Sequence, residues 1–189
     1  MNFARSIILA VLAVWPMVGC EAKSPNTAPN SGEEKMAFEV TCSAFKNGDS
    51  IPAKYTADGL DVSPPLTWQA PPPATKSFAL ICDDPDAPMG TWVHWVIYNI
   101  PPTILEFAEA MPKDATLPGG ILQGRTDFGS TGYGGPAPPK GKPHRYYFKL
   151  YALADTIDLK PGATKAELEK AIKGKILAET TLMGKYQRK

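Results

Sequence analysis

The chain has 189 residues, of which 43% are hydrophobic and 21% charged, and this balance fits one globular domain with an appendage. Its 20 basic and 19 acidic side chains give a formal net charge of +1. These nearly equal numbers of positive and negative side chains argue against a nucleic-acid-binding protein, which would carry a basic surface. They also argue against electrostatic adhesion to anionic lipid.

The first twenty residues have the features of an export signal. Arg5 gives a positive start, residues 7–14 are wholly apolar, and small residues precede Cys20. The apolar run is short for a membrane span, so residues 1–19 are predicted to be a signal peptide. The ending resembles a bacterial lipobox, which predicts a lipidated Cys20 and a protein anchored on the periplasmic side of the envelope, at the outer membrane where there is one. Cleavage by an ordinary signal peptidase near the same place is the alternative.

Residues 20–36 are predicted to be a disordered tether, and residues 37–189 a single domain. The tether lacks aromatic and branched aliphatic residues after Cys20, so it cannot bury enough apolar surface to order itself. The domain opens with a half-buried strand, in which Phe38, Val40 and Cys42 alternate with polar residues.

Three later segments are also predicted to be strands. Residues 77–82 form a nearly continuous apolar run, which is typical of a strand buried on both faces, and residues 92–100 form its partner. Residues 144–151 alternate in the same way as the first strand. Residues 51–66 and 119–135 are rich in proline or glycine and are predicted to be loops.

Each of the two histidines falls at the beginning of a predicted strand, beside a rigid loop. His94 follows the proline-stiffened turn of residues 83–88, and His144 follows the glycine- and proline-rich residues 134–141. A side-chain period of two places His94 on one face with Trp92 and Val96, and His144 on one face with Tyr146, Phe148 and Leu150. Strand ends that meet loops are frequent functional positions.

The C-terminal part contains the one clear helix. Thr164 and Glu167 form a capping box, and the apolar stripe that follows ends at Gly174. Residues 178–186 are predicted to be a closing strand. The predicted strands and the single helix together indicate a mainly β protein, either a sandwich or another sheet assembly. Cys42 and Cys82 both lie in apolar strands and are predicted to be free thiols.

The residue types alone do not point to catalysis. No serine lies in a glycine-flanked elbow, and Cys82 is in the middle of a strand, where a reactive thiolate is unfavourable. A zinc site could be drawn from His94, His144, Asp84 and Asp86, but the spacing of the histidines is not that of a known ligand pair. A turn cap for the aspartates and core positions for the histidines remain the structural alternative.

Two motifs carry a resemblance to a known family. Residues 84–88 with 92–95, and residues 132–139 with 144–146, are similar to the two signatures of the phosphatidylethanolamine-binding protein family. Residues 61–66, 75–78, 123–124 and 127–129 resemble its bacterial Raf kinase inhibitor-like branch. The resemblance runs from about Phe38 to the C-terminus.

The resemblance implies an antiparallel Greek-key β core with peripheral helices near the C-terminus, and a small anion-binding pocket. It maps that pocket to eight residues: Asp84, Asp86, Trp92, His94, Gly135, Pro136, His144 and Tyr146. It implies a non-enzymatic binding protein with no cofactor, whose ligand is a phosphate-bearing or phospholipid-head-group-like anion. A regulatory inhibitor of a kinase or peptidase, and a histidine- or metal-assisted hydrolase, remain alternatives. A protein partner and a homodimer are left open.

The chemistry of such a pocket is reasonable for these residue types. An anion is bound by backbone N–H groups, imidazole donors and a tyrosine hydroxyl. Asp84 and Asp86 would repel an anion, so we expect them to orient the imidazoles and loop amides instead. Nearby carboxylates raise a histidine pKa and burial lowers it, and the sequence leaves the direction of the net shift open.

Overall fold

The computed structural model describes residues 37–189, so the predicted signal peptide, Cys20 and the tether lie outside the described residues. The described part forms nine β-strands and one α-helix: β1 Glu39–Cys42, β2 Leu66–Gln69, β3 Ser77–Asp84, β4 Trp92–Ile100, β5 Glu106–Phe107, β6 Thr116–Leu117, β7 Ile121–Gln123, β8 His144–Leu153, α1 Lys165–Ile172 and β9 Ile176–Tyr186. Two short 3₁₀ helices cover Ala53–Tyr55 and Pro118–Gly120.

The strands form two antiparallel sheets. The larger sheet has six strands in the order β6-β7-β4-β3-β8-β9, and the smaller has three in the order β1-β2-β5. The central strand β3 is buried along all eight residues, as its continuous apolar sequence predicted. Because β3 is antiparallel to both β4 and β8, its last residues lie beside the first residues of those two strands.

Two hydrophobic cores cover the two faces of the large sheet. The first lies between the sheets, where Trp68 of the small sheet packs edge-on against Phe78 and Phe107, with ring centroids 5.7 and 5.2 Å apart. The second lies under α1, whose Leu168 and Ile172 are buried against the other face of the large sheet. The first core therefore joins the two sheets, and the second attaches the helix to the large sheet.

Most of the predicted elements are present. The mainly β, antiparallel fold is confirmed, and so is the capping box of α1, in which the Thr164 side chain and Glu167 exchange hydrogen bonds. The closing strand β9 begins at Ile176, two residues before its predicted start. The resemblance implied several peripheral helices, whereas residues 37–189 contain one α-helix.

Cys42 and Cys82 are free, and no helix of the described part is both long and apolar enough to span a membrane.

The loop predicted for residues 119–135 was wrong in its first part. Residues Ile121–Gln123 form β7, which pairs with β4. The strand is three residues long, too short to show an alternating pattern, so its existence depends on the pairing with β4 and not on its own sequence.

Trp92 shares the face of His94 as predicted, but Val96 does not, because β4 contains a bulge at His94. Cys82 pairs with Trp95 and Asp83 pairs with Val93, so His94 has no partner residue on β3. An extra residue resets the alternation of side chains. Val93 and Val96 consequently share the core under α1, while His94 lies on the other side, with its ring 5.1 Å from that of Tyr146. The predicted face of His144 and Tyr146 is confirmed.

Candidate ligand-binding pocket

A cavity of about 450 Å³ opens where the end of β3 meets the beginnings of β4 and β8. Its walls are formed by these three strand ends, by two loops and by the C-terminal tail: Asp84, Ala87, Pro88, Met89, Trp92, His94, Phe128, Ala137, Pro138, Pro139, His144 and Arg188. The antiparallel order β4-β3-β8 is what brings both histidines, fifty positions apart, to one place.

Asp84 holds the ring of His144. The Asp84 Oδ2 atom accepts a hydrogen bond of 2.8 Å from Nδ1 of His144, and both side chains are buried. The other carboxylate oxygen of Asp84 accepts the backbone N–H of Asp86 at 2.8 Å, which stabilises the turn after β3. The Asp84 carboxylate is thus used for orientation, and Nε2 of His144 remains for a ligand.

His94 is held by the opposite loop. Its Nδ1 atom lies 2.7 Å from the carbonyl oxygen of Gly134. Because a carbonyl oxygen only accepts, Nδ1 carries the hydrogen, and Nε2 of the neutral ring is an acceptor. Burial lowers the pKa of His94 and outweighs the opposing effects of the Gly134 carbonyl and the Asp84 charge. The direction that the sequence left open is therefore downward, and His94 is neutral near pH 7.

The mouth of the cavity is apolar. Phe128 packs edge-on against Trp92 and His94, with ring centroids 5.5 and 5.3 Å apart. Met89 is 92% exposed on the rim, and Pro138 and Pro139 form the facing wall. A buried polar floor under an apolar mouth suits a ligand with one polar end and one apolar end.

Four of the eight predicted pocket residues line this cavity, namely Asp84, Trp92, His94 and His144. The other four, Asp86, Gly135, Pro136 and Tyr146, are nearby but do not form its surface.

Asp86 supports the cavity from outside. It accepts hydrogen bonds from the backbone N–H, Nε and Nη2 of Arg145 at 2.9, 2.8 and 2.7 Å. These contacts with Arg145, the largest cause, lower the pKa of Asp86 to about 2. Arg145 follows His144 on β8, so the pair fixes the beginning of that strand against the turn after β3.

Gly135 and Pro136 attach the pocket loop to the preceding part of the chain. The Gly135 N–H donates to Asp61 Oδ1 at 2.6 Å, and the Pro136 carbonyl accepts from the Ala57 N–H at 3.0 Å. A Cβ atom on Gly135 would lie 2.7 Å from the Tyr55 carbonyl oxygen, so only glycine allows this close approach. The amide that the sequence assigned to an anion is already occupied by Asp61.

Tyr146 lies beneath the floor. Its side chain is fully buried, and its hydroxyl makes no hydrogen bond to the described residues. Burial, followed by the charge of Asp84, raises the pKa of Tyr146. A buried hydroxyl without a partner is uncommon and costly, so this group is a donor that a ligand or water in the cavity could satisfy.

Eight of the lining residues are outside the predicted set. Five of them lie within the two family motifs, namely Ala87, Pro88, Ala137, Pro138 and Pro139, and the other three are Met89, Phe128 and Arg188. Phe128 belongs to residues 127–129, which the sequence analysis used only to support the family resemblance. Nothing in the sequence pointed to Arg188. It reaches the cavity because β9 pairs with β8 in a register that places Tyr186 opposite His144, two residues before Arg188.

The described residues also bear on metal binding. Within residues 37–189, no group of three or more histidine, cysteine, aspartate or glutamate side chains is arranged to hold a metal ion.

This chain is similar in sequence and in structure to several known proteins. A family model described as phosphatidylethanolamine-binding protein matches residues 41–187. A UPF0098 protein of Pyrococcus horikoshii is 47% identical over 186 residues, which cover 97% of this chain and 88% of that protein. The solved structure of a phosphatidylethanolamine-binding protein homolog from Chlamydia trachomatis has a TM-score of 0.74 at 38% identity, covering 81% of this chain and 99% of that one. YbcL of Escherichia coli has a TM-score of 0.76 at 37% identity, covering 80% and 99%.

Proposed function

The chain belongs to the phosphatidylethanolamine-binding protein family, and from this premise we propose that its cavity binds a phosphate-bearing anion with an apolar substituent. The observation that carries the proposal is the pair of buried histidines. Each uses Nδ1 for a hydrogen bond within the protein, and both line one cavity beneath an apolar mouth. Such fixed rings bind a polar group at little entropic cost.

The hydrogen-bonding roles on the floor favour an anion that still carries a proton. Nε2 of neutral His94 is an acceptor, so the ligand atom that faces it must bear a hydrogen. A phosphate monoester has its second pKa near ~6 and offers both a P–O–H donor and acceptor oxygens. Its acceptor oxygens suit the hydroxyl of Tyr146, which has no partner among the described residues. A phosphorylated lipid head group and a free small phosphate share this chemistry.

The same cavity lacks hydroxyl, thiol and amine nucleophiles on its lining side chains, and its Asp84 carboxylate is held by His144 and the Asp86 backbone. None of its lining residues is a serine, threonine, cysteine or lysine. Cys82 is buried in β3, and burial raises its pKa well above the ordinary value, which keeps it a thiol. We therefore propose binding without catalysis, in a protein that a lipid on Cys20 attaches to the cell envelope.

Calorimetric titration with inorganic phosphate, phosphoethanolamine and phenyl phosphate tests the proposal. We expect phenyl phosphate to bind more tightly than phosphate, because its ring buries apolar surface at the mouth. His94→Ala and His144→Ala should each cost about 1–3 kcal/mol of binding, with a less-than-additive loss in the double variant, and Tyr146→Phe should cost less.

Lys170→Ala provides the control, since Lys170 is exposed on α1, on the opposite side of the large sheet. It should bind as the wild type does. If the histidine variants also bind as the wild type does, the proposal fails, and a role through the protein surface becomes the better account. Hydrolysis of phenyl phosphate that is lost in His94→Ala would contradict binding without catalysis.

A further inference from the structure

The proposed ligand is negatively charged, yet the floor of the cavity is poor in positive charge. Asp84 places a carboxylate there, and His94 is neutral near pH 7. Arg145, which is paired with Asp86, does not line the cavity. Among the described residues that line the cavity, Arg188 alone carries a side chain that is positive throughout the physiological pH range.

Arg188 is held with one edge of its guanidinium group towards Asp58. Nε lies 3.0 Å from both carboxylate oxygens of Asp58, and Nη2 lies 2.7 Å from Oδ1. Nη1 makes no hydrogen bond to the described residues, so its two hydrogens remain for another acceptor. The side chain is 31% exposed, which places it at the rim and not free in solvent.

The tail that carries Arg188 is fixed on both sides. Asp58 also accepts a hydrogen bond from the Tyr186 hydroxyl at 2.9 Å, and the Gln187 side-chain amide donates to the Gly141 carbonyl at 2.5 Å. Arg188 is near enough to the floor that its charge lowers the pKa of Tyr146 against the larger effects of burial and Asp84. The guanidinium group therefore lies within electrostatic reach of the unpartnered Tyr146 hydroxyl.

We propose that Arg188 is a ligand-contacting residue of the cavity, which selects for an anion, and that Asp58 positions it. This proposal rests on the proposed function, and it identifies Arg188 as the positive charge that faces the anion in the same site. The free Nη1 edge of Arg188 donates to the phosphate group, while the edge held by Asp58 keeps the guanidinium over the cavity. Because arginine does not lose its proton, Arg188 keeps its positive charge between pH 6 and pH 8.

The test compares the binding of phenyl phosphate to the wild type, Arg188→Gln, Arg188→Lys and Lys189→Gln, at low salt and in 0.5 M NaCl. We expect Arg188→Gln to weaken binding about tenfold at low salt, the loss of one charge-assisted contact. Arg188→Lys should recover part of that loss, because it keeps the charge without the planar fork. Lys189→Gln, which removes the adjacent charge from outside the cavity, should bind nearly as the wild type does.

Two further measurements separate a ligand contact from a structural role. The affinity of Arg188→Gln should depend less on salt than that of the wild type, since a screened charge has been removed. In an Asp58→Asn background, Arg188→Gln should cause a smaller loss, because the guanidinium is no longer held at the rim.

Equal affinity and equal salt dependence of Arg188→Gln and the wild type would overturn the role of Arg188 and leave the proposed function intact. A wild type that binds neither phosphate nor phenyl phosphate would overturn both.

Discussion

His94 and His144 use the same ring atom for different partners, and this determines what each can offer to a ligand. Nδ1 of His94 donates to a backbone carbonyl, whereas Nδ1 of His144 donates to the carboxylate of Asp84. The carbonyl partner of His94 does not prevent its lowered pKa, which burial causes, so Nε2 of that ring is an acceptor. The two rings are therefore not equivalent.

The neutral state of His94 gives a prediction about pH. Affinity for phenyl phosphate should rise about tenfold or more as pH falls from 8 to 6, because the ligand, with its second pKa near ~6, gains the proton that His94 Nε2 accepts. Phenyl sulfate has no proton to gain in this range, so its affinity should rise less. Calorimetry of both ligands between pH 6 and pH 8 measures the difference. Equal pH profiles would contradict the role of His94 as an acceptor.

Asp86 should matter for stability more than for binding. Its pKa of about 2, against an ordinary value of 3.8, means that its ionised form stabilises the fold above pH 3.8 and that this contribution is lost as pH falls towards 2. Asp86→Asn should lower the melting temperature at pH 7 slightly, with the difference from wild type disappearing near pH 2. Thermal unfolding across this range checks it. A loss of phenyl phosphate affinity as large as that of His94→Ala would instead place Asp86 in the binding site.

At the scale of elements, the alternation of side chains along β3 places two adjacent carboxylates in different environments. Asp84 faces the cavity with His94 and His144, whereas Asp83 faces the opposite side of the sheet. There, Asp83 Oδ2 accepts hydrogen bonds from Lys149 of β8 at 2.8 Å and Lys165 of α1 at 2.5 Å. The strand that carries the site is thus tied to its neighbouring strand and to the helix through one buried carboxylate.

A double-mutant cycle tests this connection. Lys149→Met and Lys165→Met should each destabilise the protein by about 1–2 kcal/mol, and the double variant by more than the sum, because a fully buried carboxylate is then left without a counter-charge. Chemical denaturation gives these values, with Lys170→Met as the control on the exposed face of α1. If the destabilisation of the double variant equals the sum of the two single values, the burial of Asp83 does not depend on having both lysines as counter-charges.

The elements that could be predicted from sequence are those whose signal is local. The capping box of α1 and the continuous apolar run of β3 can each be recognised from their own residues, without reference to any other part of the chain. The short strand β7 and the bulge at His94 depend on the register of neighbouring strands, which no local pattern records. Arg188 was missed for the same reason, since the β8–β9 pairing delivers it to the cavity from the far end of the chain.

For the whole molecule, the family motifs lie at the strand ends that border the cavity, and the structure separates lining residues from supporting ones. Asp84, Trp92, His94 and His144 line the cavity, but the amide of Gly135 is bound to Asp61. A motif contains the residues that shape a loop together with those that face its ligand, and only the three-dimensional contacts distinguish the two groups.

The N-terminal residues carry the prediction on cellular location. Mature protein from its native host should begin with a lipidated Cys20, since a cysteine ends an apolar segment that precedes a polar tether. Intact mass spectrometry should show residues 20–189 with an added acyl-glycerol group. Cys20→Ser should leave the detergent phase, and a Cys20→Ser protein that still partitions there would contradict the anchor.

The most direct test of the central claim uses the fact that the chain has only two histidines. Side-chain ¹⁵N NMR, with each resonance assigned by His94→Ala or His144→Ala, reports on both Nε2 atoms during a titration with phenyl phosphate. We predict that both Nε2 resonances shift and saturate at the dissociation constant that calorimetry gives. Calorimetric binding during which neither Nε2 resonance moves would contradict the assignment of this cavity as the anion site.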